Sequence, residues 1–298
     1  MVAALLHYVD PSTPLSQQRE KIHNVAQLAH CQAQGRVGSG FDVSSAVYGS
    51  QRYERFSASA ISELLAQGTP ARSPPLSALY DALRPGGANN AWDGSVAPIS
   101  LPPGLCLVLG DIDAGSNTPS LVGAVSRWRA SDPVVAAALW TELAAANERV
   151  EMLLRHLATL SSNVSYSSTL ERLAKAPAAE WVGDEPVSRA LTDLAQAFLC
   201  VRSLLRDMGS AAGVPIEPPE QTALLDRCMA LPGVVLCGVP GAGGYDAICC
   251  LVLGEGARKA VLDSWRNAPE GETNVCPLLT TAGGSGIRVV DTPVEAKF

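Results

Sequence analysis

An α+β fold in two lobes is what this 298-residue sequence predicts. Three observations carry the expectation. Strand-like and helical patterns follow one another in an uneven order. A stretch from Gly68 to Gly104, rich in Pro, Gly, Ser and Asn, divides them. The 47% of apolar residues supply enough material for a real core. A boundary near the end of that stretch gives domains at 1–100 and 101–298.

The elements follow in order. Val2 to Tyr8 reads as a helix with no capping residue before it. A longer helix is expected from Leu15 to Gln34, with Ile22, Val25, Ala26, Ala29 and Ala33 toward the core. Its other side carries a stripe of neutral polar groups, His23, Gln27, His30 and Gln34. Two readings stand for that stripe: buried amides and imidazoles bonded to a neighbouring strand, or a face near an active site. Asp42 opens a short helix through Ala46, and Val47 to Phe56 alternates like a strand. One short helix, Leu76 to Leu83, interrupts the long connection. Leu105 to Leu109 is a buried strand, and Gly110 to Thr118 a polar loop. Helical patterns follow at Ser120 to Arg129, Pro133 to Leu160, Val187 to Met208 and Pro218 to Ala230. Val234 to Val239 and Ala247 to Leu253 are apolar strands around a glycine loop, and a final strand pair is expected near Asn274 to Leu279 and Gly286 to Val290.

Composition narrows the function. A formal net charge of -7 without any Lys/Arg run leaves no electrostatic footprint for nucleic acid. Any phosphorylated ligand would need cations concentrated locally, against the overall field. No apolar run approaches a membrane span, and Val2 to Leu6 is too short for a signal-peptide core, so no membrane partner is expected and a cytoplasmic protein is. The eight cysteines lack a CxxC pair or a nearby histidine at zinc-finger spacing and read as reduced core residues. His23 and His30 stand seven residues apart, which disfavours a metal pair. No metal-ligating residue is therefore assigned.

Two segments carry chemistry. In Gly35-Arg36-Val37-Gly38-Ser39-Gly40-Phe41-Asp42, glycines let a ligand approach the main chain and Asp42 stands where a helix starts; an Asp N-cap after a flexible turn is the plainer account. In Gly238-Val239-Pro240-Gly241-Ala242-Gly243-Gly244-Tyr245-Asp246, neither GxGxxG nor a Walker lysine is found. That loop joins two strands and holds more glycine than a hairpin needs, so close packing against a ligand or a second loop competes with a simple turn.

Together these segments resemble the phosphomevalonate kinases of the GHMP superfamily. The similarity extends through His23 to Gln27, Ala29-His30-Cys31, Gly110-Asp111-Ile112 with Gly115-Ser116, and Ile216-Glu217-Pro218-Pro219. The resemblance implies a two-lobed GHMP kinase fold. It also implies transfer of a phosphoryl group from ATP, with Mg2+, to mevalonate 5-phosphate, giving the 5-diphosphate on the way to isoprenoids. By the same resemblance Asp42 is the active-site aspartate. Arg36, Ser39 and Gly40 lie on the substrate side, with Arg36 in place of a more usual lysine, and Gly241, Ala242, Gly243 and Gly244 border the nucleotide and substrate. Nothing is carried over beyond about Ala257. Because a phosphate monoester has a second pKa of about 6, its attacking oxygen is already mostly deprotonated near neutrality. Asp42 is then expected to orient a cation or the acceptor instead of serving as a strong base.

The family's serine-containing phosphate loop normally precedes a helix like Val2 to Tyr8. The resemblance therefore places that loop, and an earlier lysine segment, outside this chain. The N-terminal lobe is expected to be incomplete and poorly stable, and two alternatives stay open: a non-catalytic GHMP-fold binding protein, or another GHMP kinase such as mevalonate kinase.

Overall fold

The computed structural model describes residues 1–67, 75–84, 92–112, 118–268, 273–278 and 283–289. The chain divides into two compact units, Met1–Ser100 with Gly283–Phe298, and Leu101–Ala282. The expected second domain ran on to residue 298. Main-chain bonds from Ser50 to the Gly284 carbonyl (3.0 Å) and from Ile287 to the Val47 carbonyl (3.1 Å) instead tie residues 283–289 to the first unit.

The first unit holds helices α1 (Val2–Val9), α2 (Arg19–Gln34), α3 (Phe41–Tyr48), α4 (Ser59–Gln67) and α5 (Leu76–Leu83), with strands β1 (Gln51–Glu54) and β2 (Ser95–Pro98). The expected Leu15 to Gln34 helix is broken, Leu15–Gln17 forming a separate 3-10 turn. α3 runs on to Tyr48, so the strand expected from Val47 to Phe56 shrinks to β1, which pairs antiparallel with β2. The buried face of α2 is also not the one its alanines suggested. Ile22, His23, Asn24, Gln27, Leu28 and Cys31 are buried, while Ala29 and Ala33 are exposed. Tertiary packing overrides the apolar pattern here, because Leu28 and Cys31 join Phe56, Ile61, Leu64 and Trp92 in the unit's core cluster.

The second unit is a four-stranded antiparallel sheet in the order β4-β5-β3-β6, formed by β3 (Leu105–Ile112), β4 (Val234–Gly238), β5 (Ala247–Leu253) and β6 (Val275–Leu278). Helices α6 (Thr118–Ser131), α7 (Pro133–Leu160), α8 (Tyr166–Leu173), α9 (Pro186–Ala212), α10 (Pro219–Met229) and α11 (Gly254–Arg266) surround it. Strand side chains alternate between faces, and both faces are apolar. Leu251 and Leu253 join the cluster with Leu157, Leu170, Leu191 and Leu194 of α7, α8 and α9. Ile248, Cys250 and Val252 join the other, with Leu225 of α10 and Val261 and Trp265 of α11. This is the α+β architecture expected.

α7 starts where Asp132 accepts a hydrogen bond from the Val135 amide with Pro133 in the first turn, the arrangement that spares an N-terminal donor. Gly110 opens no loop, since β3 continues through Ile112. β6 pairs with β3, and Gly286 to Val289 form no strand with it; Val290 lies outside the described residues.

Candidate functional site

The predicted residues fall in both units, and each group is described within its own. In the first unit the turn after α2 ends on Gly35 in the left-handed region, and Gly40, not Asp42, is the N-cap of α3. The expected Asp N-cap is thereby corrected. Asp42 sits in the first helical turn, where an acid faces the positive end of the dipole, and its side chain is 49% exposed. Its Oδ2 lies 3.3 Å from His30 Nε2, and Gln34 Nε2 lies 2.9 Å from the same ring nitrogen.

The polar stripe of α2 thus divides. At its outer end His30 reaches Asp42 and Gln34 meets His30; among the described residues its buried end does not bond to a strand as one reading required. His23 Nδ1 meets Asn24 Oδ1 at 3.1 Å, and Gln27 Nε2 donates to Cys31 Sγ at 3.2 Å. His23 Nε2 and Asn24 Nδ2 have no partner among the described residues, and both residues line a cavity of about 270 Å³ with Tyr48 and Trp92, roomy enough for water. Burial pushes the His23 pKa down, against the smaller upward effects of Asn24 and Glu20.

Gly40 has φ +80°, and a Cβ there would stand 2.8 Å from both Gln27 Oε1 and Tyr53 Oη. Any other residue would be strained at that φ and would have to displace those side-chain ends. Tyr53 donates to the Ser39 carbonyl at 2.9 Å, and Arg55 to the Val37 carbonyl at 3.2 Å, so two side chains from and beside β1 hold the turn's backbone. Arg36 and Ser39 are exposed.

In the second unit the loop between β4 and β5 has three left-handed glycines, Gly241 (φ 68°), Gly243 (φ 76°) and Gly244 (φ 89°). They do different jobs. A Cβ on Gly243 would lie 2.3 Å from the Ile216 carbonyl oxygen, and the Gly244 amide donates to that oxygen at 2.7 Å. Gly241 is exposed and a Cβ on it would meet nothing within 4 Å. So half of the loop is packed against a second loop, and the other half presents backbone to open space.

The Ile216 segment is itself anchored, which sequence reading did not see. Glu217, 5% exposed, accepts from Arg202 Nη2 (2.7 Å) and Nε (3.1 Å), Arg206 Nη1 (2.8 Å) and Thr222 Oγ1 (3.1 Å). Arg202, 1% exposed, also reaches Asp226 at 2.9 Å. Burial alone would raise the Glu217 pKa, but the guanidinium groups of Arg202 and Arg206 outweigh it and hold the carboxyl below the ordinary glutamate value. Asp111 is exposed on β3, and Gly115 and Ser116 lie outside the described residues.

Residues 190–271 match the family described as "GHMP kinases C terminal". Two solved structures show the same fold at low identity. One is the Lin0012 protein of Listeria innocua (TM-score 0.63, 16% identity, 95% of this chain and 64% of that one). The other is a Streptococcus pneumoniae phosphomevalonate kinase in complex with phosphomevalonate and AMPPNP (TM-score 0.52, 12% identity, 84% and 58%). The fold is therefore that of a GHMP kinase. Sequence similarity is closer: 41% identity to the peroxisomal phosphomevalonate kinase of Arabidopsis thaliana over 96% of this chain, and 35% to phosphomevalonate kinase ERG8 of Gibberella zeae over 98%. Along nearly its whole length the chain is similar to phosphomevalonate kinases. It spans 58% and 59% of the lengths of those two relatives.

Proposed function

We propose that the chain serves the ATP-dependent phosphorylation of mevalonate 5-phosphate to mevalonate 5-diphosphate, with Mg2+ as the metal. The observation that carries this reading is the 41% identity with a phosphomevalonate kinase along 96% of the chain. Two local features support it. Asp42 is a half-exposed carboxylate, a hard oxygen donor of the kind Mg2+ takes, and it has an imidazole beside it. Gly241 offers main-chain groups that a phosphate can approach without meeting a side chain.

Phosphoryl transfer asks for positioning and charge neutralisation more than for covalent work. With the acceptor oxygen already ionised near neutrality, Asp42 acts on a cation or on the acceptor's orientation, with the His30 ring beside its carboxylate. Gly40 and Ser39 shape the turn on the substrate side, with exposed Arg36 as its free-reaching cation. Gly241 and Ala242 border the nucleotide, while Gly243 and Gly244 hold the loop in place.

Incubation with MgATP and mevalonate 5-phosphate, read by phosphorus NMR, tests the assignment. Formation of the 5-diphosphate with equimolar ADP is expected. Turnover of mevalonate but not of its phosphate would make it a different GHMP kinase, and tight binding of both ligands without ADP would make it a non-catalytic relative. Among the described residues no helix is long and apolar enough to cross a membrane. We place the chain in the cytoplasm, and fractionation of tagged cells decides between that compartment and the peroxisome of the Arabidopsis relative's name.

A further inference from the structure

We propose that Cys228, Cys237 and Cys250 form a buried trithiol site that captures one trivalent arsenic centre through three As–S bonds. Their sulfur atoms all lie within 4.8 Å of one another. Cys237 and Cys250 stand directly opposite on β4 and β5, Sγ to Sγ at 3.1 Å, and Cys228 reaches them from the last turn of α10. All three residues are 0% exposed. Their surroundings are apolar, with Val234, Ile248, Val252 and Val261 in the same cluster, and one polar neighbour, the Trp265 indole N–H, lies 3.3 Å from Cys228 Sγ.

Charge selects the occupant. Sulfur donors suit soft centres, and structural zinc asks for four ligands where this cluster offers three. Three thiolates around a divalent ion leave one net negative charge, and around monovalent copper two. An uncompensated charge in an apolar core is expensive. Three thiolates around trivalent arsenic are neutral. The step balances without any oxidant: arsenous acid reacts with three thiols, three As–O bonds break, three As–S bonds form, and each thiol proton leaves with a hydroxide as water. Arsenic stays trivalent throughout.

Attack starts from a thiolate. The Trp265 indole N–H lies 3.3 Å from Cys228 Sγ and can donate to a thiolate formed there while the chain folds. Cys228 is therefore the first nucleophile. Because no sulfur meets solvent, loading is slow in the native protein and fast when the chain folds around the ligand.

The test uses the full chain, reduced, unfolded in urea and refolded with one equivalent of sodium arsenite. Native mass spectrometry should show a gain of one arsenic less three protons, and X-ray absorption should show three sulfurs on it. Cys228→Ser, Cys237→Ser and Cys250→Ser should each abolish the three-sulfur form, while Cys106→Ser and Cys276→Ser keep it. No retained arsenic, or a product with arsenic plus hydroxide less two protons, would overturn the proposal. So would higher occupancy by zinc or copper(I) than by arsenite in parallel refolding. The wild-type mass and absorption spectrum decide the matter even where a core serine variant fails to fold.

Discussion

Gly243→Ala separates the packed half of the β4–β5 loop from its open half. An alanine in the left-handed region costs about 1–2 kcal/mol. Its Cβ would also stand 2.3 Å from the Ile216 carbonyl oxygen and 2.7 Å from Ile216 Cγ2, so the backbone has to move. Overpacking of that kind adds about 1–3 kcal/mol. Loss of the Gly244 to Ile216 hydrogen bond adds about 1 kcal/mol more. The expected destabilisation is about 3–6 kcal/mol. Gly241→Ala shares φ in the same region but meets nothing within 4 Å, so only the first cost applies, about 1–2 kcal/mol. Urea unfolding followed by fluorescence and circular dichroism reads the difference as a shift in midpoint. Equal midpoints for the two variants would refute the division of labour within the loop. Under the proposed function the order reverses for turnover per folded molecule, Gly241→Ala losing more than its stability change explains.

Three other outcomes are expected. Glu217→Gln leaves Arg202 buried with Asp226 as its remaining partner and should cost about 3 kcal/mol, measured by the same unfolding assay. Because the folded Glu217 pKa is lowered, its contribution is complete above the ordinary value of 4.5 and is lost as pH falls through the folded value; the gap between wild type and Glu217→Gln should close over that window. His23 works at higher pH: its folded pKa lies below 6.5, so the neutral ring's contribution is intact above 6.5 and declines as pH falls from there toward the folded value. Hydrogen exchange, corrected for intrinsic rates, should show residues 19–34 loosening between pH 7.5 and 5.5 as set in the experiment, and a His23→Gln variant should lose that dependence.

The same exchange data bear on the low stability expected of the first hundred residues. Among the described residues the sheet there has two strands, and His23, Asn24, Gln27 and Gln51 each keep a buried side-chain atom without a partner. A two-stranded sheet adds little by itself. Faster exchange in β1 and β2 than in β3 to β5 is expected, and uniform protection would contradict it.

Much of the fold was legible because punctuation and period agreed. Pro133 and the long apolar repeat gave α7 its bounds, and the glycine loop gave β4 and β5 theirs. α11 was missed because Gly254 and Gly256 are poor helix formers; its existence rests on Ala257, Val261 and Trp265 packing on the sheet. β2 was hidden in a turn-rich stretch and is defined by its pairing with β1. The buried face of α2 misled because Gln27 and His23 face inward while two alanines face solvent.

For the candidate site, residue types pointed to Asp42 and to the loop glycines, but their partners could not be read. His30 meets Asp42 only because α2 packs against α3, and Ile216 meets Gly243 across a gap in the chain that no spacing rule bridges. The trithiol cluster was equally hidden. It needs the register that sets Cys237 against Cys250 and a helix that carries Cys228 to them.

The proposed function requires Asp42 to take part in phosphoryl transfer from ATP to mevalonate 5-phosphate. Single-turnover rates for wild type and Asp42→Asn, with folding checked by circular dichroism, test it most directly. A drop of about 100-fold or more in the variant, as befits loss of a charged positioning group, is the predicted result. An unchanged rate would contradict it.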